Sequence, residues 1–457
     1  MKTYTYKIVQ LMICCLLFTS CDKYLDITPK GKRLLSTVAD YDQWLNDETL
    51  YTGPAVPYNF TNFLGDNVDF TGVANPPVTV TDLVYTWAPQ FTLDINTPPT
   101  FWGEHYAKIN LYNTVLAGID QAIGGTTAKK RSLKAEALLG RALEYFYLVN
   151  EYGKPYDAAT ANQDLAVPFV TSNDVTTPVP PRSTVAEIHQ HIIDDIHAAI
   201  PYLPTDNSAN RIRGSVAGGY SLLARVYLYM RNYPEAQKNA EMALANSTAQ
   251  MVDYNGTLPV SPLLATFPDV IYGRISLSQF PVTLDFMRSF ASNDLRIRRL
   301  YLSSDGYQFT TRGATSYAPP FMSAYPSLYY TNSGTSFQEM KLIAAEGAAR
   351  ANNLPLALQY LDDVRKNRFP TASYVKYTST VQEEVLLEVL KERSHELPFN
   401  GLRWFDMRRY DKENKMGTVN RYNAQGAVIA TLPPHSEKYT LQIPLAVLSF
   451  NPGMPQN

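Results

Sequence analysis

The run Lys391–Tyr410, KERSHELPFNGLRWFDMRRY, holds the side chains of this chain best suited to chemistry. Its carboxylates Glu392, Glu396 and Asp406 lie among Arg393, Arg403, Arg408 and Arg409, with Arg365 further back. Two carboxylates held at different pKa values by neighbouring cations can serve as general acid and general base. The same residues can equally form a buried ion-pair junction, and the elements around them decide between the two. Val381 to Leu397 has the period of a helix, with Val385, Leu386, Val389 and Leu390 facing inward, and Pro398 with Gly401 ends it. Glu392 and Glu396 then share one face a turn apart near the helix C-terminus, where like charges are unfavourable unless cations pair them. Arg393, Arg403 and Arg408 are in position to do so while Trp404 and Phe405 pack beneath. The spacing predicts a structural junction rather than an acid–base pair.

Other catalytic patterns are missing. Gly214-Ser215-Val216-Ala217-Gly218 has the wrong spacing for a nucleophile elbow and opens a helix. The sequence contains neither a Walker loop nor a GxGxxG fingerprint. The six histidines are dispersed, and His189 and His191, two apart on a predicted helix, point to different faces; no metal ligand set and no cofactor is expected. Asp194 and Asp195 stand side by side on that helix and read as a solvated face.

A chain of 457 residues can bury a sizeable core without staples. Apolar residues make 45% and charged residues 18%, with 32 Tyr and 31 Pro; tyrosine suits wet, stacking recognition surfaces as well as cores. The formal charge of −2 and the lack of any basic stripe exclude a nucleic-acid partner. All three cysteines, Cys14, Cys15 and Cys21, fall near the start. Lys2 and Lys7 precede an apolar Ile8–Phe18 stretch too short to span a bilayer, and Leu17-Phe18-Thr19-Ser20-Cys21 follows. That pattern is a signal peptide ending in a lipobox. Residues 1–20 are expected to be removed, Cys21 to carry lipid, and residues 21–34 to tether the fold to a membrane. The mature chain then has no second thiol and a net charge of −4.

Helices dominate what lies beyond. Ser36 can cap a helix running through Asp47, whereas Leu50 to Pro99 keeps no helical period and reads as a long loop region. Helices are predicted over 101–123, 129–152 and, capped by Thr184, to Ile200, with Ser215 opening a fourth. In Leu222 to Tyr227, Asn232-Tyr233, Ala236, Ala240 and Ala243-Leu244, small residues fall where two antiparallel helices approach closely, which is the tetratricopeptide pattern. Ala344, Glu346, Ala349, Asn352-Asn353, Ala357, Tyr360 and Leu361 form a second copy. Lys129–Tyr152 with Thr184–Ile200 makes a degenerate pair. Between the copies, Met251 to Ser336 is broken by prolines and crowded with Tyr272, Tyr301, Tyr307, Tyr317, Tyr329 and Tyr330. The expected fold is mainly α, a tetratricopeptide-like scaffold of helical hairpins with long, irregular, aromatic-rich insertions. One domain is expected over 35–457, with scaffold at roughly 101–250 and 336–400 and an irregular ligand-binding subdomain at roughly 251–335.

The chain also resembles a known family, the SusD/RagB-like outer-membrane lipoproteins. The resemblance runs through Cys21-Asp22-Lys23-Tyr24-Leu25-Asp26, Glu151-Tyr152-Gly153, Ala166-Val167-Pro168, Arg182-Ser183-Thr184-Val185, Leu223-Ala224-Arg225-Val226-Tyr227-Leu228, Gly401-Leu402-Arg403-Trp404-Phe405-Asp406 and Asn451-Pro452-Gly453-Met454. It implies a lipid-anchored binding protein without a cofactor on the outer face of the outer membrane, where Asp22 after the lipidated cysteine fits an acidic export signal. Its implied partner is a SusC-type TonB-dependent transporter, to which it passes captured oligosaccharides, or peptides as in the RagB branch. By position, the resemblance points to Asp66, Asn67, Tyr85 and Trp87 from the first loop region and Tyr329 and Tyr330 from the insertion as ligand-binding residues. Trp44, Trp102 and Trp404 are expected in the core. A surface hydrolase is the competing class, and it would need a convergent acid and base in a cleft.

Overall fold

The computed structural model describes residues 35–52, 60–92, 94–99, 101–259, 263–277, 279–319, 321–322 and 329–457. Cys21 and the tether lie outside them. The scaffold helices are α1 (Trp102–Gly118), α2 (Thr127–Tyr152), α3 (Val185–Ala199), α4 (Val216–Tyr229), α5 (Tyr233–Asn246), α6 (Phe337–Arg350), α7 (Leu354–Arg365), α8 (Gln382–Glu396) and α9 (Arg403–Asp411). Each of α1 to α7 packs on the next in chain order, and α8 packs on both α6 and α7. Close approach is built into the pairs. A Cβ on Gly140 of α2 would lie 2.2 Å from the Tyr112 ring of α1, and one on Gly347 of α6 would lie 2.6 Å from Gln237 of α5.

The two tetratricopeptide copies are repeats down to the turn. Arg231 and Asn352 have φ 57° and 59°. Asn232 and Asn353 follow at φ/ψ −87°/74° and −88°/72°, each accepting a hydrogen bond from the backbone N–H three residues on, with proline in the first turn beyond. The predicted caps Thr184 and Ser215 are in place. At the N-terminus Thr37, not Ser36, caps Val38–Trp44, and Asp47 caps a separate Glu48–Tyr51 turn.

The loop region before α1 is less bare than its composition suggests, since it carries short helices at Thr61–Leu64 and Val80–Tyr85. It is stitched to the insertion by bridges Thr52↔Ile275 and Val68↔Val282. Ahead of the insertion, strands β1 (Leu165–Pro168) and β2 (Arg182–Thr184) pair antiparallel. Within the insertion, strands β3 (Val270–Tyr272), β4 (Ile275–Leu277), β5 (Phe280–Pro281), β6 (Tyr301–Ser303), β7 (Thr315–Tyr317), β8 (Phe321–Met322), β9 (Tyr329–Asn332) and β10 (Thr335–Ser336) form small sheets ordered β4-β9-β8, β5-β7-β6 and β10-β3. A further hairpin, β11 (Val419–Tyr422) with β12 (Val428–Leu432), closes over the loop region. One continuous apolar core joins Phe60–Trp102 and the helices to Leu397–Ile443. Trp102 and Trp404 are buried in it, and half-buried Trp44 donates its indole N–H to Leu111 O at 3.1 Å.

Candidate functional site

The charged run around α8 and α9 is a lattice of buried ion pairs. Glu392 meets Arg296 at 2.7 Å and Arg365 at 3.1 Å; Glu396 meets Arg296 at 2.9 Å and takes a bidentate pair from Arg368. The expected partners were wrong. Arg393 instead bonds Asp406 at 2.9 Å, Arg403 holds Asp66, and Arg408 donates to the Asn150 and Gly153 carbonyls. Arg409 bridges Asp406 to Glu346, which Arg350 also holds. Burial alone would raise the Glu346 carboxyl, yet Arg409 and Arg350 bring it down to about 2. Arg225 and Glu339 form a matching pair at 2.6 Å on α4 and α6. Every carboxylate here is enclosed and neutralised, which suits staples between helices better than proton transfer. Asp195 proves to be a staple too, bidentate to Arg141 at 2.8 Å, while Asp194 stays exposed as expected.

A second buried cluster centres on His105, 2.7 Å from Glu144 and 3.6 Å from Glu151. Burial opposes its charge, but the two glutamates lift its pKa to about 9. The adjoining void of about 20 Å³ has room for about one water molecule. Among the described residues no group of three or more His, Cys, Asp or Glu side chains is placed to hold a metal ion.

Four of the six residues expected to bind ligand are built into the fold. Tyr85 and Asn67 are 1% and 2% exposed, and Asn67 donates to Pro398 O at 2.6 Å. Trp87 is 3% exposed, donates its indole N–H to Leu64 O at 3.0 Å, and packs its ring 4.3 Å from the Arg421 guanidinium. Arg421 also lies over Tyr85 at 4.4 Å and donates to the carbonyls of Phe63, Gly65, Val68 and Tyr85. Half-buried Asp66 is bidentate to Arg403 at 2.6 Å. The first loop thus spends these side chains on its own rigidity. Tyr329 and the half-buried Tyr330 belong to β9 in another part of the insertion. Among the described residues no hydrogen bond, ion pair or ring contact joins Tyr330 to those four.

The first loop and the insertion do meet, but through other side chains. Arg312 Nε donates to Asp69 at 2.7 Å, its Nη1 to Asn423 O at 2.7 Å, and its guanidinium lies 5.5 Å from the Tyr422 ring. Arg312 belongs to the Ser303–Ala314 turn, which carries Gly306, Tyr307 and Phe309 at φ 68°, 65° and 53°. Left-handed backbone under a bulky aromatic is uncommon and strained. The turn is held by Asp305, which accepts from Ser303 Oγ at 2.5 Å and from the Tyr307 and Thr310 N–H groups at 3.1 Å. Tyr307 and Phe309 are half-buried, each with part of its ring against the core, and Arg298 lies 3.8 Å over Tyr307. Of these residues only Tyr307 was singled out among the crowded tyrosines. The Asp305-Gly306 turn pair is the sequence signal that marks the rest.

Two larger concavities lie elsewhere. A groove of about 990 Å³ runs between α1 and the segment after β1 (Leu165–Pro168), lined by Trp102, Tyr106, Phe169, Val175 and Pro178. A cleft of about 730 Å³ opens between Trp87–Phe91 and Ser436–Gln442.

This architecture defines a tetratricopeptide-like helical protein with a loop-built face. A family model described as starch-binding associating with outer membrane matches residues 23–228, and one described as SusD family matches 337–457. The chain is 28% identical over 235 residues to a SusD-like protein of Bacteroides ovatus, covering 49% of this chain and 39% of that protein's length. It is 23% identical to SusD-like protein P2 of Formosa agariphila, over 78% of this chain and 79% of the relative. The crystal structure of a SusD-like carbohydrate binding protein from Bacteroides vulgatus superposes with a TM-score of 0.70 at 19% identity, covering 92% of this chain and 97% of that one. The chain belongs to the SusD/RagB-like family. No helix among the described residues is long and apolar enough to cross a membrane.

Proposed function

We propose that the protein captures oligosaccharides at the cell surface and hands them to a SusC-type TonB-dependent transporter in the outer membrane. In this reading residues 1–20 are a signal peptide, Cys21 carries the lipid that holds the chain on the extracellular side, and 35–457 act as one binding unit. The observation that carries the sugar assignment is the strained Ser303–Ala314 turn. It carries two half-buried rings, Tyr307 and Phe309, and the same segment sends Arg312 to Asp69, where the first loop meets the insertion. Aromatic faces stack on the apolar faces of sugar rings, and a guanidinium with a carboxylate bonds their hydroxyls. Asp66, Asn67, Tyr85 and Trp87 brace this face from below. The family description as starch-binding supports the same class of ligand. A catalytic role gains no support, since the carboxylate clusters of the scaffold are enclosed and paired.

The test is binding of soluble protein beginning at Asp22 to neutral polysaccharides and to peptide digests. Saturable binding to a glycan that Tyr307→Ala weakens at least about tenfold supports the reading. Binding to peptides alone overturns it in favour of RagB-like capture.

A further inference from the structure

The insertion hangs from a two-stranded stem. β3 leads into it and β10 leads out of it to α6, and the two pair antiparallel with Val270 opposite Ser336 and Tyr272 opposite Thr335. Asp269 stands at the foot of this stem and is 4% exposed. Its carbonyl accepts from Phe337 N at 2.8 Å and its carboxylate from Gln338 Nε2 at 3.0 Å, so one residue holds the first turn of α6 through both backbone and side chain.

The surroundings of that carboxyl suit an acid better than an anion. Arg368 is committed to Glu396 in a bidentate pair, and Arg211 donates to Thr248 O at 3.3 Å. Among the described residues no cation forms an ion pair with Asp269, and the other titratable groups facing it, Tyr254, Tyr317 and Glu396, are neutral or negative. Buried Asp82 shows what a carboxylate without a cation needs instead. Against burial, the N–H groups of Thr79, Val78 and Ala74 at 2.9, 3.2 and 3.3 Å hold it below its usual range. Asp269 has one neutral amide, and burial pushes it up to about 7, with Arg368 opposing the rise and Glu396 adding to it. The amide itself points the same way. Gln338 Oε1 is buried without a hydrogen-bond partner among the described residues, as is the neighbouring Ser336 Oγ. Turned over, the amide offers Oε1 to an O–H on Asp269 and the acceptor is satisfied; a charged Asp269 keeps Nε2 facing it and leaves Oε1 unpartnered.

We propose that the stem of the insertion is a proton-operated joint: Asp269 is a neutral acid in the closed stem, and its ionisation loosens the pairing of β3 with β10 and the first turn of α6. The carboxyl rises from an ordinary 3.8 to about 7 on folding, so its stabilising contribution is full below pH 3.8 and is lost as pH rises through 7. Ligand capture is touched only through the Ser303–Ala314 turn, which lies between β3 and β10 in the chain; the joint stands without it.

The experiment is an NMR titration of the full chain beginning at Asp22, isotope-labelled at its aspartate carboxyls, with no ligand added. Expected is one aspartate with a midpoint near 7 that is absent from Asp269→Asn and moves upward in Gln338→Leu, which withdraws the hydrogen bond that favours the charged form. Hydrogen exchange of the β3 and β10 amides, corrected for its intrinsic pH dependence, is expected to quicken about tenfold between about pH 6 and pH 8 in the parent and to stay level in Asp269→Asn. Should Asp269→Asn not fold, the parent and Gln338→Leu carry both readouts. Titration of every aspartate below about pH 5 overturns the proposal. So does a near-neutral midpoint that persists in Asp269→Asn or stays in place in Gln338→Leu, or stem exchange in the parent that does not respond to pH.

Discussion

The Glu392–Asp411 segment and the Ser303–Ala314 turn are built from the same kinds of side chain, arginines, carboxylates and aromatics. In the first, Arg296, Arg365, Arg368, Arg393 and Arg409 are matched to Glu392, Glu396, Asp406 and Glu346 inside the protein. In the second, Asp305 holds the turn from within, Arg312 reaches out of it to Asp69, and Tyr307 and Phe309 are half-buried on left-handed backbone. The contrast separates two uses of one vocabulary. Where every charge is satisfied by a buried partner, the segment holds helices together; where partners are few and the backbone is strained, the segment is free to meet something else.

The largest way to break the comparison is to unbalance the first region. Glu396→Ala leaves the Arg296 and Arg368 guanidinium groups buried with a missing partner, and is expected to cost about 3–5 kcal/mol in urea unfolding. Loss of under about 1 kcal/mol would mean the lattice is not what fastens α8 to the insertion.

Acid acts on the same lattice more gently. Glu346 is held at about 2, below its ordinary 4.5, so its contribution is present above pH 4.5 and lost as pH falls toward 2. The shift corresponds to up to about 3 kcal/mol. His105, raised from 6.5 to about 9, acts with the opposite sense, its contribution being full below pH 6.5 and lost as pH rises through 9. Thermal melts across pH are expected to fall on both the acid and the alkaline arms, and Glu346→Gln flattens the acid arm.

The smallest effect on stability belongs to the turn. Phe309→Gly relieves left-handed strain while removing a half-buried ring, and the two nearly offset, leaving a change within about 1 kcal/mol. A cost above about 3 kcal/mol by the same melt would make this region as structural as the other.

Sequence reasoning read the scaffold well because helical hairpins are local. The Asn232-Tyr233 and Asn352-Asn353 junctions announce themselves through caps, prolines and alanine spacing. It named the ion-paired junction but mispaired it, since Arg296 and Arg368 come from distant segments and nothing local fixes them opposite Glu392 and Glu396. Its candidate binding residues in the first loop, Asp66, Asn67, Tyr85 and Trp87, are ones whose burial or pairing is set by distant segments. Tyr85 and Trp87 look available among threonines and prolines until Arg421, more than 300 residues on, is seen to cover them. That hairpin, β11–β12, left no signal strong enough to anticipate.

The most direct measurement sets Trp87→Ala beside Phe309→Ala, recording thermal stability and glycan binding for each. The account predicts that Trp87→Ala, which opens a cavity over Arg421, costs about 3–5 kcal/mol, while Phe309→Ala melts near the parent protein and loses glycan binding. A Trp87→Ala protein as stable as the parent but unable to bind, with Phe309→Ala binding normally, would contradict it and return the sugar to the first loop.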